Sequence, residues 1–446
     1  MLFIPPVRIA RACVFKPRSA TAGTGMRVYV EEYGCWLNKA LTQYVRQLAA
    51  AEGVEVVDKL EEADTVVVNT CAVRAETERK ILARLRELSL MGKRLAVTGC
   101  LVNVRPYSIA EAAPGASLVD PSCLEELRKF LRGEDVWLVR EYRRWLQAYR
   151  HEKGTRYILP VQTGCTGRCG FCVEPVVRKG VTSLDMDTAL KLVREAVERG
   201  AKEIYLTGQD VASYGVDKGV KLTDLLRSIL EEVDGDYRIR LGMMEPWMAK
   251  PLAVELATLL KDERMYKYLH LPLQSGDDGV LKLMGRRYTV TEYKALAALF
   301  RRELGEVSLV TDLIVGYPGE SWEAFANTLK VVRELAFDKV HVARYTFRPF
   351  TPAYVEENTV PEPEKKRRSR LLSQLAAEVA AEINSRYVDR IVEVFVTEDR
   401  KTGDTVIART STYKPVVVPA AAKPGERVKV RIKSFTPNYL IGEFFD

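Results

Sequence analysis

The run YILPVQTGCTGRCGFC, residues 157–172, joins an apolar strand-like stretch to a loop that carries Cys165, Cys169 and Cys172 in a C-x3-C-x2-C pattern. Five further strand-like runs follow it: EIYLTG (203–208), RIRLGM (238–243), YLHLPL (268–273), SLVTDLIVG (308–316) and KVHVARYTF (339–347), with helical stretches between them. Six consecutive βα units over about 230 residues predict most of a parallel barrel, whose active site lies at the carboxyl ends of the strands. The cysteine loop follows the first of those ends. Three closely spaced thiols with no fourth Cys or His in the loop suit a cluster in which one metal lacks a protein ligand, since a structural zinc requires four. Zinc ligation and inert core packing are the competing readings.

Upstream of the loop, RVYVEE (27–32), DTVVVN (64–69) and RLAVTG (94–99) alternate with amphipathic runs near residues 37–51 and 76–90. This predicts an α/β domain over residues 26–140 with an open, mainly parallel sheet. Cys35, Cys71 and Cys100 each lie one to three residues beyond the end of one of these strands. The carboxyl ends of a parallel sheet share one edge, so thiols 36 and 29 residues apart in sequence are expected to converge there. A second three-thiolate site follows.

Residues 141–154, charged and aromatic and ending in Gly154, read as a linker to the barrel region, 155–388. PEPEKKRRSRLLSQLAAEVAAEINSRYV (361–388) has Pro at its start and a helical apolar rhythm, which marks the last helix of that region. From 389 to 446 the runs IVEVFVTE, DTVIART, KPVVVP, RVKVRIKSF and LIGEFF are short strands separated by Gly, Pro and Asp turns, which predicts a small antiparallel barrel. Residues 1–25 are basic with scattered apolar residues and lack the apolar core and small-residue cleavage site of a secretory signal. A disordered extension, or a start codon placed too early, is expected there.

The 446 residues are 47% apolar and 29% charged, with a net charge of +8. No apolar run approaches the ~20 residues that cross a bilayer, which excludes a helical membrane protein and a disordered chain. Eight cysteines in this length are too sparse for a disulfide scaffold and point to reduced, cytoplasmic, metal-type usage. Cys13 and Cys123 receive no role. His270, alternating with Leu269 and Leu271, reads as a hydrogen-bonded barrel histidine and not an iron ligand.

The C-x3-C-x2-C loop, with Phe171 just before its last cysteine, resembles the signature of radical S-adenosylmethionine enzymes. That resemblance implies a partial (β/α)6 barrel, a [4Fe-4S] cluster on Cys165, Cys169 and Cys172, and S-adenosylmethionine on the fourth iron, cleaved reductively to a 5′-deoxyadenosyl radical. GCxxN (Gly34, Cys35, Asn38), NTCAVR (69–74) and TGC (98–100) ahead of the loop resemble the methylthiotransferase family. LTGQDVASYG (206–215), RLGMMEP (240–246), LHLPLQSG (269–276), LKLMGRRYT (281–289), TDLIVGYPGE (311–320) and YTFRPFTPA (345–353) extend the match from Met26 to Glu443. Glu245, Gly285 and the run from Lys39 depart from the family pattern. The resemblance implies two [4Fe-4S] clusters, the second on Cys35, Cys71 and Cys100 supplying or relaying sulfur, and two molecules of S-adenosylmethionine per turnover.

Gln209, Gln274, Ser275, Arg286 and Glu320 fall at strand ends where the cofactor must be held. By resemblance Gln209 and Gln274 line its pocket and Arg286 approaches its carboxylate. In the C-terminal barrel Lys414, Lys423, Arg427, Lys429, Arg431 and Lys433 stand against a lone Glu426 between Ser411 and Lys433, with Tyr413 and Phe435 interleaved. Basic groups with aromatics on a small β-barrel suit a nucleic acid, and TYKPVVV and NYLIGE resemble the TRAM RNA-binding domain. Lys414, Lys429, Arg431 and Lys433 are the expected RNA contacts.

The resemblance is strongest to the archaeal and eukaryotic branch acting on N6-threonylcarbamoyladenosine at position 37 of tRNA. The same chemistry on isopentenyladenosine-37 or on a ribosomal-protein aspartate is the alternative, and a non-catalytic iron–sulfur RNA-binding redox sensor is the alternative of another class. The expected partners are a tRNA anticodon loop and an electron donor such as ferredoxin or flavodoxin, with the sulfur donor open and no membrane.

Overall fold

The computed structural model describes residues 25–398 and 403–445. The expectations for the N-terminal extension and for Cys13 lie outside the described residues. The N-terminal domain runs β1 (Arg27–Glu32), α1 (Trp36–Ala51), β2 (Glu55–Val57), β3 (Thr65–Thr70), α2 (Ala75–Leu90), β4 (Arg94–Gly99), α3 (Cys100–Val104), α4 (Pro106–Ala112), β5 (Ser117–Val119), α5 (Leu127–Leu131) and β6 (Trp137–Leu138). Its sheet has the order β2-β1-β3-β4-β5-β6 with every pair parallel. β3, TVVVNT, is buried at all six positions, as a β-branched run covered on both faces by helices should be. β2, β5 and β6 escaped the sequence reading because three-residue and two-residue strands show no alternation. The strand order reverses between β1 and β3, which opens a crevice at the carboxyl ends where Cys35 and Cys71 lie.

The central domain contains β7 (Arg156–Pro160), β8 (Gln162–Thr163), α6 (Glu174–Val177), β9 (Thr182–Ser183), α7 (Met186–Glu198), β10 (Glu203–Thr207), α8 (Leu222–Glu232), β11 (Arg238–Leu241), α9 (Pro246–Ala249), α10 (Ala253–Leu259), β12 (Tyr268–His270), α11 (Asp278–Leu283), α12 (Val290–Leu304), β13 (Ser308–Val315), α13 (Trp322–Leu335), β14 (Lys339–Arg344) and α14 (Glu362–Ser385). Two parallel three-stranded sheets, β7-β10-β11 and β12-β13-β14, are joined by the bridges Ile239–Met265 and Met243–His270. They form one arc of six parallel strands in chain order, open between β7 and β14.

The N-terminal domain closes that opening. α1 packs on β7, and on the far side Arg344 at the end of β14 pairs with Glu76 at 2.6 Å while Arg348 pairs with Glu78, both on α2. Residues 141–154 contain no helix or strand, yet they are not a loose linker. Leu146 and Tyr149 are buried in the barrel core, and the Tyr149 hydroxyl accepts from the Ile158 amide at 3.1 Å.

The C-terminal strands β15 (Ile391–Glu398), β16 (Thr405–Arg409), β17 (Pro415–Pro419), β18 (Arg427–Phe435) and β19 (Leu440–Phe444) close into a barrel filled by alternate residues such as Val394, Val406, Val416, Val430 and Ile432. The expected antiparallel pairing holds except between β17 and β19, which run parallel. This barrel sits on the amino ends of the central strands. Tyr413, at φ +66°, stacks edge-on against Tyr266 and Tyr268 at 4.9 and 5.1 Å, and the Lys267 amide donates to the Ser411 carbonyl. Among the described residues no helix is long and apolar enough to cross a membrane.

Candidate active site

The Cys165 loop is shaped by backbone constraint before any ligand is considered. Gly164 has φ +81°, and a Cβ there would collide with the Gly180 carbonyl. Its amide donates to Gln209 Oε1 at 2.8 Å, and its carbonyl accepts from the Gln162 side chain. Gln209 therefore positions the cysteine loop. The Gly170 amide donates to the Met284 carbonyl at 2.9 Å, and Phe171 meets Tyr317 edge-on at 6.4 Å.

Burial pushes the Cys165 thiol up to about 12 and also raises Cys172, with neighbouring thiols and carboxyls adding in the same direction. Such thiols ionise only beside strong positive charge, which a metal cluster supplies. The Arg286 guanidinium donates to Cys169 Sγ at 3.1 Å and pairs with Glu245 at 3.0 Å, both side chains being buried. The donor set fits a three-thiolate [4Fe-4S] cluster.

The second set converges as the sheet requires. Cys35 precedes α1, Cys71 follows β3, and Cys100 opens α3 directly after β4. Gly34, at φ +112°, lets the chain pass so close that a Cβ would stand 2.8 Å from Asn38 Nδ2 and 3.1 Å from Cys71 Cβ. Asn38 Nδ2 donates to the Thr70 carbonyl at 3.0 Å, Asn69 Nδ2 donates to the Asn38 carbonyl at 2.9 Å, and Thr70 Oγ1 donates to the Thr98 carbonyl at 2.6 Å. The motif residues thus tie three strand ends together. Burial raises the Cys71 and Cys100 thiols, and the charge of Cys35 raises both further.

Arg178, which sequence reasoning missed, reaches across from the radical loop side. Its buried guanidinium lies 3.9 Å from Cys100 Sγ and pairs with Glu174 at 2.9 Å. The only signal was a basic residue six positions after Cys172, where charges are common. A cavity of ≈ 580 Å³ opens between the two sets, lined by Cys35 from one and Cys172 from the other, with Arg74, Gln274, Asp312 and His341. That volume lies within the ~300–1,000 Å³ of small-molecule sites.

The remaining cofactor expectations divide. Gln274 lines the cavity at φ +72° with its Oε1 buried and unpartnered, as a ligand-facing residue should be. Ser275 is instead buried against Thr328 and accepts from the Asp277 amide at 3.3 Å, so it shapes the turn. Glu320 pairs with Arg368 at 2.6 Å and accepts from the Gly316 amide at 2.6 Å, which ties the 316–320 turn to α14. Both contacts end on Oε2, the pairing a buried carboxylate needs, while Oε1 has no hydrogen-bond partner among the described residues.

Asp210, also missed, accepts from the Glu245 amide at 2.9 Å through Oδ1, while its buried Oδ2 has no partner. Burial, helped by the Glu245 charge, pushes its carboxyl up to about 7. An N–H donor or a positive charge beside Oδ2 favours the ionised form. Affinity for S-adenosylmethionine is therefore expected to rise from pH 6 to pH 8 as Asp210 loses its proton, and Asp210→Asn should weaken binding and flatten that rise. Equilibrium binding across the pH range checks this.

The C-terminal barrel corrects part of the RNA expectation. Lys414 is buried, 2.5 Å from Asp338 and 3.0 Å from Asn384 Oδ1, and Tyr413 is turned into the central barrel, so neither faces solvent RNA. Their sequence positions beside a basic strand concealed this. Lys429 and Lys433 are exposed on β18, Lys433 paired with Glu443 at 2.8 Å, and Arg431 lies 5.1 Å over Phe445. Replacing Lys429, Arg431 and Lys433 by Ala is expected to flatten the salt dependence of tRNA binding by roughly two to three units of slope, at ~0.7–0.9 per phosphate contact. Lys414→Met should leave the slope unchanged.

Fold and site together define a radical S-adenosylmethionine enzyme with a second three-cysteine set. Family models match in the same order: uncharacterized protein family UPF0004 over residues 27–120, the radical SAM superfamily over 159–332 and the TRAM domain over 385–445. A protein of Pyrococcus horikoshii named probable threonylcarbamoyladenosine tRNA methylthiotransferase is 38% identical over 426 residues, covering 94% of this chain and 99% of its own. A Methanocaldococcus jannaschii protein of the same name is 36% identical, over 94% of this chain and 97% of its own. A tRNA-2-methylthio-N(6)-dimethylallyladenosine synthase of Sulfurihydrogenibium is 32% identical, over 92% of this chain and 97% of its own. Among solved structures the radical S-adenosylmethionine methyltransferase TsrM of Kitasatospora setae shares the fold, with a TM-score of 0.57 at 17% identity over 74% of this chain and 75% of its own. The chain belongs to the radical S-adenosylmethionine methylthiotransferase family.

Proposed function

We propose that this enzyme inserts sulfur at C2 of N6-threonylcarbamoyladenosine at position 37 of tRNA and methylates it, giving the 2-methylthio derivative. The observation that carries this reading is a cavity walled by both Cys35 and Cys172, one thiol from each set. When bound, two [4Fe-4S] clusters and S-adenosylmethionine supply radical and sulfur-transfer chemistry, which a C–H bond without an acid–base handle requires.

Cys165, Cys169 and Cys172 hold one cluster, and Cys35, Cys71 and Cys100 hold the other. Asp210 would accept from the amino group of S-adenosylmethionine, Arg286 would approach its carboxylate, and Gln274 would face the bound ligands from the cavity wall. An anticodon-loop base is already unpaired, so turning it into the cavity costs little unstacking. Lys429 and Arg431 hold the RNA backbone. A ferredoxin-type or flavodoxin-type donor in the cytoplasm delivers the electrons.

Anaerobic incubation of the reconstituted enzyme with tRNA carrying N6-threonylcarbamoyladenosine, followed by nucleoside mass spectrometry, tests the assignment. A methylthio group on that nucleoside is expected, with 5′-deoxyadenosine and S-adenosylhomocysteine beside it. A product on isopentenyladenosine or on a ribosomal protein instead would refute the substrate, and no methylthio product on any of the three would refute the enzyme.

A further inference from the structure

Three side chains on adjacent barrel strands converge at the cavity wall without a part in the chemistry described so far. In the parallel register Asp312 of β13 stands directly beside His341 of β14, and His270 of β12 pairs with Val310, two residues before Asp312 on the same face. One ligand atom from each of His270, Asp312 and His341 lies within 4.8 Å of the other two. His270 Nε2 is 2.8 Å from Asp312 Oδ2, and the two imidazole centroids are 5.5 Å apart.

The hydrogen-bonded barrel histidine expected from the sequence is present in the His270–Asp312 pair. It does not account for His341, whose ring nitrogens have no hydrogen-bond partner among the described residues although the ring is half-buried. Burial lowers the His341 imidazole to about 4, so at neutral pH it carries a free lone pair. Burial would raise the Asp312 carboxyl, but the hydrogen bond and charge of His270 hold it below the usual carboxylate range. Two imidazoles and one carboxylate are thus assembled on three adjacent strands.

We propose that His270, Asp312 and His341 bind one divalent transition-metal cation whose open coordination position faces the substrate cavity. Two imidazoles and a carboxylate are a donor set for such ions, and three protein ligands leave a position for an exogenous oxygen. Bonds of ~2.0–2.2 Å in tetrahedral geometry put ligand atoms about 3.3–3.6 Å apart, so the His270–Asp312 contact of 2.8 Å opens and the wider pairs of the group, all within 4.8 Å, close. Asp312 and His341 both line the cavity. Arg74, exposed on the same wall and without an ion-pair partner among the described residues, adds a second positive charge there. Cation and guanidinium together suit an anionic substrate oxygen, such as the threonyl carboxylate of the modified adenosine. That last step rests on the function proposed above, whereas ion binding does not.

Reconstituted holoprotein, whose cysteines are occupied by clusters and whose loosely held metal has been removed on a chelating resin, is titrated anaerobically with Zn2+, and zinc and iron per chain are measured after gel filtration. One zinc per chain with unchanged iron is expected for the wild type, and at least tenfold weaker binding for His341→Asn and Asp312→Asn. Equal zinc in wild type and His341→Asn, no zinc in either, or zinc gained only as iron is lost would overturn the site. If Asp312→Asn fails to fold, His341→Asn decides, since His341 contributes no hydrogen bond through its ring. Methylthio product formed by a protein that binds no zinc would refute this inference and leave the function standing. Zinc binding lost in His341→Asn, in a protein that forms no methylthio product, would refute the function and leave the cation site.

Discussion

Replacing Cys165, Cys169 and Cys172 together by Ala is expected to lower the iron of the reconstituted protein from about eight to about four per chain and to abolish 5′-deoxyadenosine formation. The opposite triple replacement, of Cys35, Cys71 and Cys100, should also leave about four irons but keep the cleavage of S-adenosylmethionine while ending methylthio transfer. The separation follows from topology. Each set is anchored in its own sheet, Cys35, Cys71 and Cys100 at the carboxyl ends of β1, β3 and β4, and the radical loop after β7 and β8. Arg178 and the shared cavity couple them, so a modest fall in cleavage in the second variant is compatible with this division, whereas equal loss of both activities in the two variants is not. Iron analysis and product chromatography on the same preparations decide.

Arg286 carries the second large effect. Its buried guanidinium pairs with Glu245 and donates to Cys169 Sγ, so Arg286→Met strands a buried carboxylate and removes a cation from the cluster edge. Breaking a buried pair on one side costs about 3–5 kcal/mol, and denaturant titration of the variant should show a loss of that order. Arg286→Lys keeps the charge without the planar fork that serves two acceptors at once. It should fold and bind iron yet cleave S-adenosylmethionine more than tenfold more slowly. Cleavage at the wild-type rate in Arg286→Lys would show that the guanidinium geometry is irrelevant.

The architecture was largely legible in the residue order. Strands of four or more residues announced themselves through apolar β-branched runs, as in β3 and β13, and the cysteines following them marked the functional edge. Where the reading missed, the missing information was spatial. β5 and β6 are too short to carry a pattern, and residues 141–154 look polar while Leu146 and Tyr149 are buried in the barrel core. Lys414 and Lys429 are indistinguishable as letters, but one is buried beside Asp338 and the other exposed on β18.

By itself the sequence determined the three-domain order, the two cysteine sets and the family, because periodicity and ligand spacing are local properties of the chain. Tertiary structure alone decided that the N-terminal domain closes the open side of the barrel, that one cavity touches both sets, that Glu320 meets Arg368, and that the buried Asp210 keeps an oxygen without a partner. It alone brought His270, Asp312 and His341 together from three strands. Burial and pairing depend on which distant residue arrives opposite a side chain. Parallel strand register sets that across spans of tens of residues, and no window of sequence contains it.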